Sequence, residues 1–101
     1  MNNMQPERTE KITVAKTIRH DVREGTRVIG HVIGDSLVNE QGQWVVELDL
    51  IEQSGKRGID VVEGDEFEFA GGTWRVAKVY EPTMAPRGAV AELVRVTRPE
   101  A

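Results

Sequence analysis

The 101-residue chain contains no cysteine, only five aromatic residues and no long apolar run. Secreted domains of this size often depend on disulfides, so the lack of cysteine favours a reducing compartment, and we expect a cytoplasmic protein. The apolar runs are only a few residues long, too short to cross a membrane. Residues 1–10 are polar and lack the apolar segment of a signal peptide. Five aromatics also provide few platforms on which the bases of single-stranded nucleic acid could stack.

The net charge of −4 is unevenly distributed along the chain. Residues 31–70 contain ten acidic and two basic side chains, whereas the segments before and after them each carry a net charge of +2. An acidic middle repels the phosphates of nucleic acids, so no nucleic acid partner is expected. The simplest interpretation is that these carboxylates lie on solvated strand faces.

Apolar residues recur mainly with a period of two, which is typical of half-buried strands. The final run, AVAELVRVT, has helix-favouring residues, but its alternating valines favour a strand. Gly30 and Gly34 interrupt an apolar run, which indicates a bulge or a close backbone approach. The pattern predicts strands at Lys11–Val22, Thr26–Ile33, Gln43–Glu52, Ile59–Val62, Glu66–Ala70, Thr73–Tyr80 and Ala89–Thr97, with turns or loops at Asp35–Gly42, Ser54–Gly58, Glu63–Asp65, Gly71–Gly72 and Glu81–Gly88.

Short strands separated by turns and no competing helix predict an all-β fold. For a chain of this length, we expect a small barrel or roll of about six to seven short, mostly antiparallel strands, because closure removes exposed sheet edges. Residues 11–98 then form a single β domain, and residues 1–10 form a disordered N-terminal tail.

The segment 61–96 carries a longer pattern of short strand, turn, aromatic hairpin, proline loop and apolar strand. Its residues are Gly64, Asp65, Phe67, Phe69, Gly71, Gly72, Trp74, Val76, Val79 and Leu93–Val96. This order resembles an uncharacterised family of small actinobacterial β-proteins, a resemblance that implies a fold and no activity. The stretch Asp65–Val79 is also similar to a hairpin of phage head–tail joining proteins, which would imply a structural role.

His20 and His31 are the only histidines in the chain. In a hairpin that turns at Glu24-Gly25 they lie at unequal distances from the turn, so we do not expect them to face each other. There is no cysteine and no HxH or HxxxH spacing, so neither a metal site nor a cofactor is predicted. The two serines lie outside any Gly-x-Ser-x-Gly turn, so no serine nucleophile is predicted.

Trp44 and Trp74 both fall on the apolar faces of predicted strands. Aromatic side chains supply much of the burial in a small domain, so both are interpreted first as core residues. The alternative is that one of them is an exposed contact for a ligand or partner, because tryptophan is enriched at the energetic centres of interfaces.

Three functions remain open. The first is a non-enzymatic interaction or structural module that binds a protein partner or forms a homo-oligomer, with strand edges such as Ile59–Val62 available for pairing. The second is a small-molecule-binding or catalytic barrel in which His20, His31, Asp35 and Asp49 converge. The third is an acidic inhibitor or nucleic-acid mimic with its carboxylates in a row. The candidate ligand- or partner-binding residues are Trp44, Trp74, His20, His31, Asp35 and Asp49, and the candidate row is Glu47, Asp49, Glu66 and Glu68.

Overall fold

A computed structural model describes residues 10–81 and 88–96. Within these ranges the chain forms eight strands and no α-helix, which confirms the all-β prediction. Apart from Glu10, the predicted tail 1–10 lies outside the described residues, as do positions 82–87 of the predicted proline loop. The strands are β1 (Lys11–Ala15), β2 (His20–Glu24), β3 (Arg27–Val38), β4 (Trp44–Glu52), β5 (Gly55–Val61), β6 (Glu66–Phe69), β7 (Gly72–Val79) and β8 (Ala89–Val96).

The strands pair into two antiparallel sheets of four. The first sheet has the order β1-β8-β7-β6, and the second has the order β2-β3-β4-β5. The hydrogen-bonded ladders of the described residues do not close into the expected barrel. Contacts between the sheets include a single parallel bridge between Lys16 and Gly34 and a hydrogen bond from the Arg57 guanidinium to the carbonyl oxygen of Glu68. The Ala70 amide also donates to the Glu52 carboxylate of the second sheet.

The predicted first strand, Lys11–Val22, is wrong as one element, because the chain leaves the first sheet after β1 and enters the second at β2. Residues 16–19 make this crossing, and Thr17 adopts a positive φ of 59° there. The Thr17 amide donates to the carbonyl oxygen of Gly34 at 2.9 Å, which fixes the corner against β3. Ile18, expected on the apolar face, is 55% exposed because it belongs to the crossing.

The predicted loop Asp35–Gly42 is also wrong in its first half, because β3 continues to Val38 opposite β4. The turn is confined to residues 39–43. The Asn39 side-chain oxygen accepts from the amides of Gln41 and Gln43, both at 2.9 Å, and Gly42 supplies a φ of 79°. A turn this compact leaves the two strands paired almost to its base.

The predicted boundaries of β8 and of the β6–β7 hairpin agree more closely with the structure, whereas the predicted start of β5 does not. The strand assignment of residues 89–97 is confirmed over Ala89–Val96. The hairpin near Gly71 is confirmed, but its two-residue loop is Ala70 and Gly71, with φ angles of 51° and 75°, and the predicted turn residue Gly72 already belongs to β7. Two positive φ values are the mark of a type I′ turn, which matches the twist of the flanking strands. The predicted turn Ser54–Gly58 is instead mostly strand, because β5 already begins at Gly55.

One hydrophobic core lies between the two sheets. Gly34 lies under Val14 and Leu48, and a Cβ atom there would come within 2.7 Å of Val14 Cγ1. The Phe69 ring packs against Gly30, which also lies beside a register shift of β3 against β2. At both glycines, as the sequence predicts, neighbouring atoms come too close to leave room for a side chain. The largest fully buried side chains are Trp74, Leu48, Leu50, Leu93, Val14, Val32, Val46 and Val76.

Candidate functional site

The β3–β4 hairpin extends past its neighbours as a two-stranded arm, defined here as residues 37–45. β2 pairs with β3 only as far as Val32, and β5 pairs with β4 only from Val46 onward. The arm therefore projects beyond the part of the second sheet that has four strands. An isolated two-stranded hairpin is only marginally stable in water, so the arm depends for its stability on the contacts that its side chains make.

The arm carries apolar side chains on both of its faces. Val38 lies opposite Trp44, and Leu37 lies opposite Val45. Val38 is 49% exposed and Leu37 is 36% exposed, whereas Trp44 is half-buried and Val45 is buried. Trp44 is not among the described residues that pack on the core, in contrast to the fully buried Trp74. The alternative interpretation of a tryptophan at a surface contact thus fits Trp44 and not Trp74.

The base of the arm is acidic. Asp35, Glu47 and Asp60 form one cross-strand row over β3, β4 and β5. Like charges opposite one another in a sheet are mutually unfavourable. The Lys16 ammonium lies 3.9 Å from an oxygen of Asp35 and offsets part of this charge. Between Val28 and Gly55 the sequence contains no lysine or arginine, so the β3–β4 hairpin itself contributes only acidic charge to the arm and its base.

The acidic row differs from the one that the sequence suggested. Glu47 and Asp49 lie on the second sheet, but Glu66 and Glu68 lie on the first. Glu68 accepts a hydrogen bond from the Thr73 hydroxyl at 2.6 Å, and Glu66 lies opposite Arg75. The four carboxylates therefore do not form one row.

The two histidines occupy separate environments. His20 Nε2 lies 3.0 Å from the Ala15 amide and accepts its hydrogen bond, so the ring proton of the neutral form is on Nδ1. His31 Nδ1 lies 2.9 Å from Asp21 Oδ1. In the β2–β3 ladder His20 lies opposite Val32, and Asp21 lies opposite His31. The histidines do not face each other, as their unequal distances from the turn predict.

The remaining predicted site residues are dispersed as well. Asp35 Oδ1 accepts from the Ser36 amide at 2.8 Å, and Asp49 lies between Ile33 and Gly58 on the second sheet. The Trp74 indole donates to the carbonyl oxygen of Phe69 at 3.1 Å inside the core. Over residues 10–81 and 88–96, no group of three or more histidine, aspartate or glutamate side chains could hold a metal ion.

On the outer face of the first sheet, the Tyr80 hydroxyl donates a hydrogen bond to the Glu92 carboxylate. The Lys11 ammonium lies 3.8 Å from the same carboxylate, and the Lys78 ammonium lies 5.4 Å from the centre of the Tyr80 ring. The hydrogen bond to Glu92 raises the pKa of Tyr80, with smaller contributions from burial and from the negative charge of Glu92. The phenol is therefore held in its protonated form by its neighbour.

Replacement of Glu92 by glutamine is expected to lower the pKa of Tyr80 towards its ordinary value. Tyr80 is the only tyrosine in the chain, so the ultraviolet absorbance of phenolate reports on it alone. A raised pKa in the folded state gives stability that is present below the unfolded pKa of about 10 and is lost as the pH rises through the folded value. Glu40→Gln, in the arm turn, is the control and should leave the titration unchanged. An identical titration in Glu92→Gln would contradict the assigned cause.

A cleft that sequence reasoning missed lies at the opposite end of the second sheet from the arm. Three turns form it, those of the β2–β3, β4–β5 and β6–β7 hairpins, and its volume is about 730 Å³. Of the predicted site residues only His31 lines it. Because the lining comes from three separate turns, no local motif signals it. The lining residues are Glu24, Arg27, Val28, Ile29, Gly30, His31, Ile51, Glu52, Gln53, Ser54, Ala70 and Gly71.

No protein-family model, curated protein or solved structure matches the chain. The resemblances to the actinobacterial β-protein family and to phage head–tail joining proteins therefore stay predictions. In the part of the chain that the structure describes, no helix has both the length and the apolar character to cross a bilayer.

Proposed function

We propose that this protein is a non-enzymatic interaction module and that the arm, residues 37–45, is its contact surface. The observation that carries the proposal is the exposed apolar surface at the end of the projecting hairpin, where Leu37 and Val38 are exposed and Trp44 lies outside the core, although Val45 is buried. Exposed apolar side chains grouped on one projecting element are typical of protein contacts. A half-buried tryptophan at the base of such a group is a suitable anchor.

The partner that fits best is a protein with an apolar groove and a basic rim. Leu37 and Val38 supply the apolar contact, and Asp35 and Glu47 at the base of the arm would face basic groups on the partner. Such charge complementarity speeds association and selects the partner. A second copy of the chain is a poorer partner for the arm, because a two-fold contact would bring the acidic bases of both arms together. A cytoplasmic location, suggested by the lack of cysteine, belongs to the same proposal.

The test begins with a photo-crosslinking amino acid at Val38, expressed in cells of the source organism, with the same group at Ile18 as a control. Both side chains are exposed, but Ile18 lies in the crossing between the sheets. We expect an adduct with one basic protein at Val38 and none at Ile18. The protein identified by mass spectrometry is then purified and its affinity is measured directly.

In the reconstituted complex, Trp44→Ala is expected to weaken binding by about thirtyfold, or about 2 kcal/mol, because it removes the anchor of the apolar contact. Ile18→Ala is the matched control and should leave the affinity unchanged. Binding should also weaken with salt, since the charges at the base of the arm are exposed. Equal affinity of wild type and Trp44→Ala would refute the arm as the contact. An adduct of the chain with itself would refute the basic partner.

A further inference from the structure

The cleft formed by the three turns has the size and the construction of a small-molecule site. Its volume of about 730 Å³ falls within the roughly 300–1,000 Å³ of ligand pockets. Glu52 and Ala70 hold two of its walls together, because Glu52 Oε1 accepts the Ala70 amide hydrogen at 3.0 Å. Ala70 keeps a positive φ of 51°, a conformation that non-glycine residues rarely adopt unless their surroundings hold it. The cleft is therefore bounded by a fixed contact between the two sheets.

One wall of the cleft is apolar. Val28, 38% exposed, stands beside the half-buried Ile29 and Ile51. The floor is Gly30, and the Phe69 ring packs directly on it. Because the Phe69 ring already fills the space beside Gly30, the apolar contacts for a ligand come from the three branched side chains of this wall, which suit a branched aliphatic group.

Both signs of charge line the same cleft. Glu24 and Arg27 are cross-strand neighbours in the β2–β3 hairpin, yet their charged groups do not form an ion pair. Within the described part of the chain, neither side chain makes a hydrogen bond or salt bridge. A free guanidinium is suited to bind a carboxylate, and a free carboxylate is suited to bind an ammonium. Glu52 adds a second carboxylate to the cleft.

We propose that the cleft binds a free amino acid with a branched aliphatic side chain. Arg27 binds its carboxylate, Glu24 and Glu52 attract its ammonium, and Val28, Ile29 and Ile51 contact its side chain. The proposal goes beyond the interaction module, because the cleft and the arm lie at opposite ends of the second sheet. Amino-acid binding in the cleft can be lost while partner binding at the arm is retained, so experiments can disprove either proposal without the other.

The experiment is a titration of the isotope-labelled full chain with L-leucine, followed by amide chemical shifts in nuclear magnetic resonance. We expect saturable shifts at Gly30, Ser54 and Gly71, with an affinity on the order of millimolar for a ligand this small. L-leucinamide and N-acetyl-L-leucine, which each keep one of the two charges, should bind about tenfold more weakly or worse. If either derivative binds as tightly as leucine, the zwitterion is not what the cleft recognises.

Variants separate the cleft from non-specific binding. Arg27→Gln and Glu24→Gln should each weaken leucine binding about tenfold, because each removes one charge contact from an exposed side chain. Arg19→Gln, an exposed arginine outside the cleft, is the matched control and should bind leucine as wild type does. Absence of saturable shifts with leucine, isoleucine and valine in the wild-type chain would overturn the proposal. Equal weakening by Arg19→Gln would do the same.

Discussion

Trp74→Ala is expected to lower the free energy of unfolding by about 3–5 kcal/mol, the range for truncation of a large buried aromatic. Trp74 is 1% exposed and contributes to the core between the two sheets. Its indole also donates to the Phe69 carbonyl oxygen at 3.1 Å, and truncation leaves that acceptor without its partner. A domain of this size has a total stability of about 5–15 kcal/mol, so much of it depends on this side chain. Urea unfolding followed by circular dichroism measures the loss.

The matched control for Trp74→Ala is the same truncation at the other tryptophan, Trp44. Trp44→Ala should lower the stability by about 1 kcal/mol or less, because its side chain lies on the arm and outside the core. If Trp74→Ala does not fold, Trp74→Phe keeps most of the apolar volume and should lose about 1–2 kcal/mol through the missing hydrogen bond and the smaller ring. Equal losses for Trp44→Ala and Trp74→Ala would contradict the described core.

Gly34→Ala is expected to lower the stability by about 1–3 kcal/mol, the range for overpacking a well-packed core. An added Cβ would lie 2.7 Å from Val14 Cγ1, 3.2 Å from Leu48 Cδ2 and 3.3 Å from Val90 Cγ2. These atoms come from both sheets, so no single side chain can move away to make room. The Gly34 carbonyl oxygen also accepts from the Thr17 amide at 2.9 Å, so a shift of β3 would disturb the crossing between the sheets.

Gly58→Ala provides the matched control on the edge strand β5. The nearest atom to an added Cβ there is Asp49 Oδ1 at 3.4 Å, an ordinary contact. Because glycine in a strand is less favourable than alanine by roughly 0.5–1 kcal/mol, Gly58→Ala should leave the stability unchanged or raise it slightly. A loss in Gly58→Ala as large as that in Gly34→Ala would mean that the effect is not steric.

The sequence predicts the strands best where one face is buried and the other is solvated. β4 alternates over most of its length and β6 throughout, and both were placed within one residue at each end. The crossing at residues 16–19 was missed, because apolar alternation resumes at Ile18 after a single break at Lys16, while the chain has already left the first sheet. The length of β3 was missed for a different reason, since Asp35 and Ser36 resemble turn residues but are paired with Glu47 and Val46 in the ladder.

The candidate sites were hard to predict because they depend on residues that are far apart in the sequence. The choice of Trp44 as a surface contact was open in the sequence, because periodicity places Trp44 and Trp74 on apolar faces alike. Trp44 lies outside the core because β2 and β5 end before they reach the arm, and the sequence of β4 itself does not show where those strands end. The cleft depends on three turns far apart in sequence, so Arg27 and Glu24 had no local signal.

The position of β8 also determines the order in which the protein can fold during synthesis. The second sheet uses one continuous stretch of chain, from β2 to β5, so all four of its strands are synthesised before β6, β7 and β8. β1, in contrast, pairs with β8 in the first sheet. β1 is synthesised well before β8 and has to wait for it, and closing the long loop between these two strands makes their pairing slow. Until then β1 is an unpaired strand edge, the kind of segment that associates with other chains and that chaperones protect.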